Sequence, residues 1–361
     1  MKNSGLTSGW AWLSGATAFA SVLAALAWLF YFGGFTALLS DESASLPVEV
    51  GRAQSRAHSD ATIVVLGNST AAEDFRAEWF NQHAASERAI NLGIPSGHVY
   101  LFERMLELAM REGVRPRKII LTTTPDVLSL RPDFDFLLND LTLLKTVIDA
   151  GDFARLVAHT SNIGDYVDYA SRIAVRPALY RAEMRDILLH PRQRLKGAAR
   201  VRRYLAGFRR DTPMNESSNS FSVCGIGPLS ALSATVARLR AEQNPLWEDY
   251  AKVEAAYAVR AHQPLQVDPF ESVRFRHMLE TLAGVAPVYV IAAPVYDPDS
   301  EQYPADYRAR AEETFRGIAA SVAGVTVLPA FPSDCSLFAD TVHLNRRGGE
   351  QFTKYVHSRV L

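Results

Sequence analysis

The sequence predicts an α/β fold in which helices cover both faces of a parallel sheet. Three observations lead to this prediction. Short β-branched apolar runs recur along the chain, segments with helical spacing follow the first of them, and the first run ends at a glycine. Alternating strands and helices are typical of doubly wound parallel sheets, because each crossover helix buries its apolar face on the sheet.

Five strands are predicted, because five short apolar runs are bounded by turn residues, as buried parallel strands are. These runs lie at 62–67, 88–93, 118–124, 286–295 and 324–331.

Helical periodicity predicts helices at 70–85 and 98–113, and a last helix from about Arg346 to the C-terminus. The stretch 130–283 contains no clear strand. We therefore expect it to form a long helical insertion of the α/β domain. Within it, the polar and Gly/Ser-rich segment 211–230 is predicted to be a loop.

The composition is that of an ordinary globular protein of 361 residues with a net charge of −1, and it indicates no nucleic-acid partner. Two cysteines, Cys224 and Cys335, are too few for a disulfide scaffold or a zinc site. They either form one bridge in an oxidising compartment or remain free thiols. No set of histidines has metal-ligand spacing, and the glycines at 93–97 lack the dinucleotide-binding pattern. We expect neither a metal nor a cofactor.

The N-terminus predicts a membrane anchor. Residues 10–35 are almost wholly apolar or small, and no charged residue lies between Lys2 and Asp41. A membrane-spanning helix needs about 20 apolar residues, whereas the apolar core of a signal peptide has only about 7 to 15. An uncleaved single-pass helix within residues 1–40 is therefore favoured over a cleaved signal.

The charges on either side of this segment predict its orientation. A lysine precedes it and acidic residues follow it, so the positive-inside rule places the N-terminus in the cytoplasm. We expect a juxtamembrane linker at 41–60 and a domain at 61–361 outside the cytoplasm, periplasmic or extracellular and held at the inner membrane.

The predicted insertion carries a block of arginines between residues 172 and 210, opposed only by Glu183 and Asp186. Such a block either faces anionic lipid headgroups or an acidic polymer, or forms a solvated helical face.

Ser69 follows the first predicted strand and begins the next helix, where it is either a helix cap or a nucleophile. A nucleophilic serine needs a base, and the base needs an orienting group. Asp340 and His343 lie three residues apart, just before the last helix. That spacing lets the carboxylate accept the Nδ1–H of the imidazole, which leaves the other ring nitrogen to take the serine proton.

Three short motifs in this order resemble the blocks of the SGNH (GDSL-like) hydrolase superfamily. They are GNS at 67–69, with Asn68 in place of the usual aspartate, NLGIPSG at 91–97, and DTVH at 340–343. The resemblance implies a flavodoxin-like three-layer α/β/α sandwich and a Ser69–His343–Asp340 triad. It also implies oxyanion donors at the Ser69 N–H and at Gly97, with Gly93 in reserve.

The third block of that superfamily has an asparagine that donates to the oxyanion, and this chain departs from it. The corresponding segment reads TTTPD at 122–126, with Asp126 matching the aspartate of the block and Pro125 in place of the asparagine. Proline offers no donor, so either one donor is missing or the Thr124 hydroxyl replaces it. Loss of one such donor costs roughly 100- to 1,000-fold in rate in a well-studied protease.

The anchor and this departure resemble a membrane-tethered subgroup that works beside membrane-bound O-acyltransferases. Proteins of alginate O-acetylation and of teichoic acid D-alanylation are examples. The resemblance implies that Ser69 takes an acyl group from such a partner and passes it to a hydroxyl of an exported glycan or polysaccharide. Two alternatives stay open: an esterase or deacetylase with the same triad, and a catalytically inactive scaffold in a cell-envelope complex.

Overall fold

A computed structural model of the chain describes residues 14–15, 17–22, 45–130, 135–209, 220–224, 229–244, 246–248, 250–251, 254, 266–296 and 305–361. The chain divides into two compact units, one comprising residues 1–46 and 144–207, the other 47–143 and 208–361. Every predicted site residue belongs to the second unit.

The predicted anchor, 1–40, lies outside the described residues except for Ser14–Gly15 and Thr17–Val22, which are helical. Among the helices that the structure describes, none combines the length and the apolar character needed to cross a membrane.

A five-stranded parallel sheet forms the centre of the second unit, so the predicted α/β fold is confirmed. Its strands are ordered β2-β1-β3-β6-β7. They are β1 Ile63–Gly67, β2 Ala89–Asn91, β3 Lys118–Thr123, β6 Val288–Ala292 and β7 Val325–Val327.

Two further strands form a separate antiparallel pair: β4 Ser129–Leu130 at the start of the predicted insertion and β5 Gln266–Val267 within it. The expectation that the insertion has no strand was wrong at these positions. Two residues are too few to produce an alternating apolar pattern.

Helices α1 to α13 account for most of the other described residues. They are α1 Leu46–Ala57, α2 Ser69–Asp74, α3 Ala77–His83, α4 Val99–Arg111, α5 Phe136–Leu144, α6 Gly151–His159, α7 Ile163–Ala174, α8 Arg181–Leu189, α9 Pro191–Gly207, α10 Leu229–Ala241, α11 Pro269–Ala283, α12 Ala305–Ser321 and α13 Arg346–Val360.

Two groups of helices pack on the sheet. In one group α13 contacts α2 and α3, and these contact β1, β3 and β2. In the other group α11 contacts α4 and α12, and the three contact β1, β6 and β7. This arrangement is consistent with a three-layer sandwich. Strand β1 is buried at every residue, and each fully buried Val, Ile or Leu side chain contributes about 1.5–3 kcal/mol.

The turn after β1 requires a glycine. Gly67 has a φ of +146°, and a Cβ at this position would lie 1.8 Å from the carbonyl oxygen of Thr122 on the neighbouring strand. This close approach lets the chain leave β1 and enter α2 directly. Ser69 is thereby placed two residues beyond the sheet.

The helix predicted at 70–85 is two helices, because the chain breaks between α2 and α3. Phe75 is extended, and the Arg76 N–H donates to the Thr353 hydroxyl on α13 at 2.8 Å rather than to a helical carbonyl. The predicted linker, 41–60, also contains a helix. Val48 and Ala53 of α1 are buried, so this helix is part of the packed domain.

The predicted loop at 211–230 lies mostly outside the described residues. Segment 220–224 has no regular structure, whereas 229–230 begin α10. The compact part of the predicted insertion is Leu144–Gly207, which consists of α6 to α9 with a core that includes Leu156 and Val201.

Candidate active site

Ser69 is the first residue of α2, and Asn68 is its cap. The Asn68 side-chain oxygen accepts the Thr70 N–H at 3.1 Å and the Thr70 hydroxyl at 2.8 Å. This division resolves the two interpretations of Ser69, because a neighbouring residue caps the helix. The Ser69 hydroxyl is therefore available for another contact.

That contact is His343, and it completes a chain of three side chains. The His343 Nε2 lies 2.8 Å from the Ser69 Oγ, and its Nδ1 lies 2.7 Å from Asp340 Oδ2. All three residues are half-buried. With the proton on Nδ1, the imidazole donates to the carboxylate and accepts the serine hydroxyl, as a general base does.

The second oxygen of Asp340 shapes the loop that carries the histidine. Oδ1 accepts the backbone N–H groups of Val342 and His343, both at 2.8 Å. One carboxylate therefore holds both the main chain and the ring of His343. The three-residue spacing in the sequence allows this, because the loop closes in a single tight turn.

Burial and the ion pair act in opposite directions on these two groups. Burial alone would lower the pKa of His343, but the hydrogen bond and negative charge of Asp340 outweigh it and raise this pKa to about 9. Burial would raise the pKa of Asp340, but the contact with His343 dominates and holds it below its usual range. The pair is therefore ionic near neutral pH in the resting protein, and the neutral imidazole that acts as a general base forms as the pH approaches the pKa of His343.

A second carboxyl, Asp74, lies close to the triad and was missed by the sequence analysis. It is fully buried at the end of α2, and its Oδ1 accepts the Leu344 N–H at 2.8 Å. Among the described residues its Oδ2 has no hydrogen-bond partner. Burial raises the pKa of Asp74 well above its usual range. Asp74 thus links the helix of Ser69 to the loop of His343. This role cannot be seen in the sequence, because the two segments are 270 residues apart.

The expected oxyanion donors are not all available. Within the described residues the Ser69 N–H has no acceptor, because it begins its helix. The Gly97 N–H, the first choice for the second donor, already donates to Ile94 O at 3.0 Å. A Cβ at Gly97 would meet Leu101, whereas one at Gly93 would lie 2.4 Å from the Ala72 N. The reserve choice, Gly93, adjoins the helix of Ser69, but its N–H is also bonded within the chain.

Asn91 fastens the Gly93 turn to that helix. Its amide nitrogen donates to the carbonyl oxygens of Ala71, at 2.7 Å, and Phe75, at 3.0 Å. Its amide oxygen accepts the Gly93 N–H at 3.0 Å. Asn91 belongs to the second motif, but no local pattern predicts its contacts with α2, because these partners lie 16 and 20 residues away.

The residues that follow β3 bond to one another. The Thr124 hydroxyl donates to the Asp126 carboxylate, and Pro125 begins the 3-10 helix Pro125–Leu128. The hydroxyl considered as a replacement donor is therefore already bonded. This strand end supplies the wall of a cavity instead.

The cavity has a volume of about 100 Å³ and lies at the carboxyl ends of β3 and β6. Thr124, Ala292 and Phe331 line it, together with the charged Arg308 and Glu312. No triad residue is part of its lining. Tyr296 follows the lining residue Val295, and its N–H donates to Thr341 O in the triad loop at 2.8 Å. Ligands of open parallel sheets bind at this edge.

The two cysteines form a disulfide, with Cα atoms 4.9 Å apart. The Val223 N–H donates to Phe338 O at 3.0 Å beside it. Segment 221–224 is thereby pinned to the chain that leads into Asp340. A bridge across 111 residues stabilises a fold by roughly 3–5 kcal/mol through the unfolded state.

No protein-family model matches the chain, and none of the curated proteins matches it. The chemistry assigned to this site therefore rests on its geometry and on the three short motifs that carry Ser69, Gly93 and His343.

Proposed function

We propose that the protein is a serine-dependent O-acyltransferase that works through an acyl-Ser69 intermediate. The observation that carries this proposal is the unbroken chain of contacts from Asp340 through His343 to Ser69. The strand order, which is that of flavodoxin-like folds, supports assignment to the SGNH class.

In the first half-reaction, the Ser69 Oγ attacks the carbonyl carbon of an acyl donor while its proton passes to His343 Nε2. The oxyanion that forms accepts the backbone N–H of Ser69, at the positive end of a helix. The tetrahedral intermediate collapses, and His343 returns the proton to the departing oxygen. The acyl group is then esterified to Ser69.

In the second half-reaction, a hydroxyl of the acceptor repeats these steps. His343 takes its proton, the acceptor oxygen attacks the acyl-Ser69 carbonyl, and the proton returns to the Ser69 Oγ. The products are the acylated acceptor and the free serine. Asp340 compensates the charge of the imidazolium in both halves.

The proposed setting is the outer face of the inner membrane. The apolar N-terminal segment would anchor the chain, a membrane-bound O-acyltransferase would supply the acyl group, and an exported polysaccharide would accept it. The disulfide between Cys224 and Cys335 supports an oxidising compartment. A tether raises the effective concentration of Ser69 at the donor.

Two other functions use the same site differently. An esterase or deacetylase would use water as the acceptor, which the half-exposed Ser69 and His343 can meet. An inactive scaffold is suggested by the closed Thr124–Asp126 turn, which leaves the oxyanion without a donor from β3.

Labelling the detergent-solubilised full chain with a fluorophosphonate tests whether Ser69 is a nucleophile. We expect rapid labelling of the wild type and none of Ser69→Ala or His343→Ala. Ser358→Ala is the matched control, because among the described residues this exposed serine bonds only Tyr355 O and the guanidinium of its neighbour Arg359. Equal labelling of wild type and Ser69→Ala would support the scaffold.

A second experiment distinguishes a transferase from an esterase. It measures the consumption of an activated acyl ester, and the formation of acylated sugar, with and without an oligosaccharide. The transferase predicts slow hydrolysis and rapid ester formation on the sugar, both lost in Ser69→Ala. Fast turnover with water and no acylated sugar would replace the proposal by the esterase.

A further inference from the structure

Exposed apolar side chains are concentrated in the compact unit that contains α6 to α9. Among the described residues, four large exposed apolar side chains lie in 47–143 and 208–361, whereas eight lie in the much shorter 144–207. The eight are Val157, Ile163, Val167, Val175, Leu188, Leu189, Leu195 and Tyr204. Single exposed apolar residues are ordinary, but a concentration of them is typical of an interaction surface.

The densest part is the corner between α8 and α9, residues 185–196, which we call the basic-apolar corner. Leu188 is 81% exposed, Leu189 is 60% exposed and Leu195 is 56% exposed. The two helices are joined by a single residue, with Leu188 and Leu189 at the end of α8 and Leu195 near the start of α9. They do not contribute to the core of the unit.

Three exposed cations lie among these leucines. Arg192, Leu195 and Lys196 share one face of α9 by their i, i+3 and i+4 spacing. Arg185 lies one turn before the leucine pair on α8. Within the described residues, none of the three cations has an acidic partner.

The two acidic side chains of α8 are already paired. Glu183 is buried against Lys145, and Asp186 pairs with Arg194 at 3.1 Å. The exposed charge of the basic-apolar corner is therefore positive. This charge is complementary to that of an anionic partner.

We propose that the basic-apolar corner docks onto an anionic lipid surface, with its leucines in the acyl region and its cations at the headgroups. A soluble polyanion would use the cations and leave three leucines in water. An anionic bilayer satisfies both sets, because an apolar phase lies directly beneath its negative charges. The inference is independent of the triad and of the proposed reaction.

A site-specific label tests whether the leucines enter the bilayer. The native cysteines are bonded to each other, so Leu189→Cys can be labelled alone with an environment-sensitive fluorophore. The full chain is reconstituted into vesicles of phosphatidylcholine, with or without phosphatidylglycerol, that contain lipids carrying a quencher in the acyl chain. Val273→Cys is the matched control, because it is 58% exposed on α11 in the other unit.

We expect acyl-chain quenching of the label at position 189 in vesicles with phosphatidylglycerol, and little quenching at position 273. Replacing Arg185, Arg192 and Lys196 by glutamine should lower the quenching at 189 by at least about threefold, because each cation adds to attraction by an anionic surface. The Lys354→Gln control, an exposed cation on α13, should leave it unchanged.

Equal and low quenching at positions 189 and 273 in anionic vesicles would overturn the proposal. A separate outcome would identify a polyanion site instead. In that case dextran sulfate would bind the full chain, the triple glutamine variant would lose this binding, and the label at 189 would stay in water.

Discussion

The ends of strands β1 and β3 lie side by side, but the hydroxyl groups that follow them make different contacts. Gly67 pairs with Thr122, so both strands leave the sheet at the same level. Beyond β1, the Ser69 hydroxyl reaches out to His343 at 2.8 Å. Beyond β3, the Thr124 hydroxyl turns back to Asp126. The two strand ends show that the groups proposed to activate a nucleophile and those proposed to stabilise an oxyanion are built separately. The side chains for the first are in contact with one another, whereas the end of β3 supplies no side-chain donor for the second.

The physical cause lies in the two turns. Gly67 permits a tight exit into α2, which puts the serine at a helix N-terminus, where its own N–H has no acceptor in the described parts of the chain. Pro125 has no N–H to donate and begins a 3-10 helix that draws the neighbouring side chains together. We therefore expect substitutions around β1 to have large effects on turnover and substitutions around β3 to have small ones.

Asp340→Asn should have the largest effect within this comparison. Asparagine keeps an oxygen for the loop N–H groups but cannot hold the imidazole in its required charge state and tautomer. The same change in a serine protease lowers kcat by about 10,000-fold, so we expect a loss of roughly 1,000- to 10,000-fold. Asp334→Asn is the matched control, because this exposed loop carboxylate bonds only Ser336. Steady-state ester turnover measures both, and a loss under tenfold for Asp340→Asn would contradict the triad.

The pH profile of the same variant should move to lower pH. In the wild type the pKa of His343 is raised to about 9, so kcat/KM should rise with pH towards that value as the free base forms. Removing the Asp340 charge leaves burial, which lowers the pKa of His343, opposed only by the smaller effects of Glu73 and Asp74. The rising limb of the profile should therefore shift to lower pH. An unchanged limb would show that Asp340 does not set the pKa of the base.

Gly93→Ala should lower kcat by roughly 100-fold, whereas Gly97→Ala should lower it less than about fivefold. A Cβ at Gly93 meets the rigid backbone of α2, 2.4 Å from the Ala72 N, and displaces the serine. A Cβ at Gly97 meets the flexible end of Leu101. Circular dichroism at the assay temperature checks that both variants are folded. The reverse order of the two losses would contradict the idea that the Gly93 turn holds the serine helix in place.

Asp74→Asn should affect stability more than chemistry. Asparagine mimics the protonated acid and keeps the bond to the Leu344 N–H. Since folding raises the pKa of Asp74, its contribution to stability is complete below the unfolded-state pKa and is lost as pH rises through the folded-state pKa. The free energy of unfolding of the variant, compared with that of the wild type, should therefore increase as the pH increases. Urea denaturation at several pH values measures this, and a parallel pH dependence would contradict it.

Thr124→Val should have the smallest effect, a change in kcat of less than about threefold. Valine has nearly the same shape, and the hydroxyl it removes is bonded to Asp126 rather than directed to Ser69. Ester turnover measures the effect of Thr124 on catalysis, and thermal unfolding measures its effect on stability. A loss of tenfold or more in kcat at unchanged stability would make Thr124 an oxyanion donor and remove the contrast between the two strand ends.

Much of the fold could be predicted because strong local patterns produce its elements. The apolar runs of β1 and β3 and the serine directly after β1 are visible in the residues themselves. Patterns that depend on distant partners were not visible. The break after Asp74 depends on Thr353, and the helix within the predicted linker packs on α4 through contacts such as the Arg52–Glu112 pair at 2.8 Å.

The sequence alone determined the strand and helix pattern, the serine at a helix start and the Asp-x-x-His loop, because each depends on residues close together in the chain. The tertiary structure decided whether Ser69 and His343, 274 residues apart, come within hydrogen-bond distance. It also decided that Gly93 rather than Gly97 adjoins the serine helix, and that Asp74 is buried beside the triad. These outcomes depend on how the sheet brings separate strand ends to one edge, and no local pattern encodes that distance.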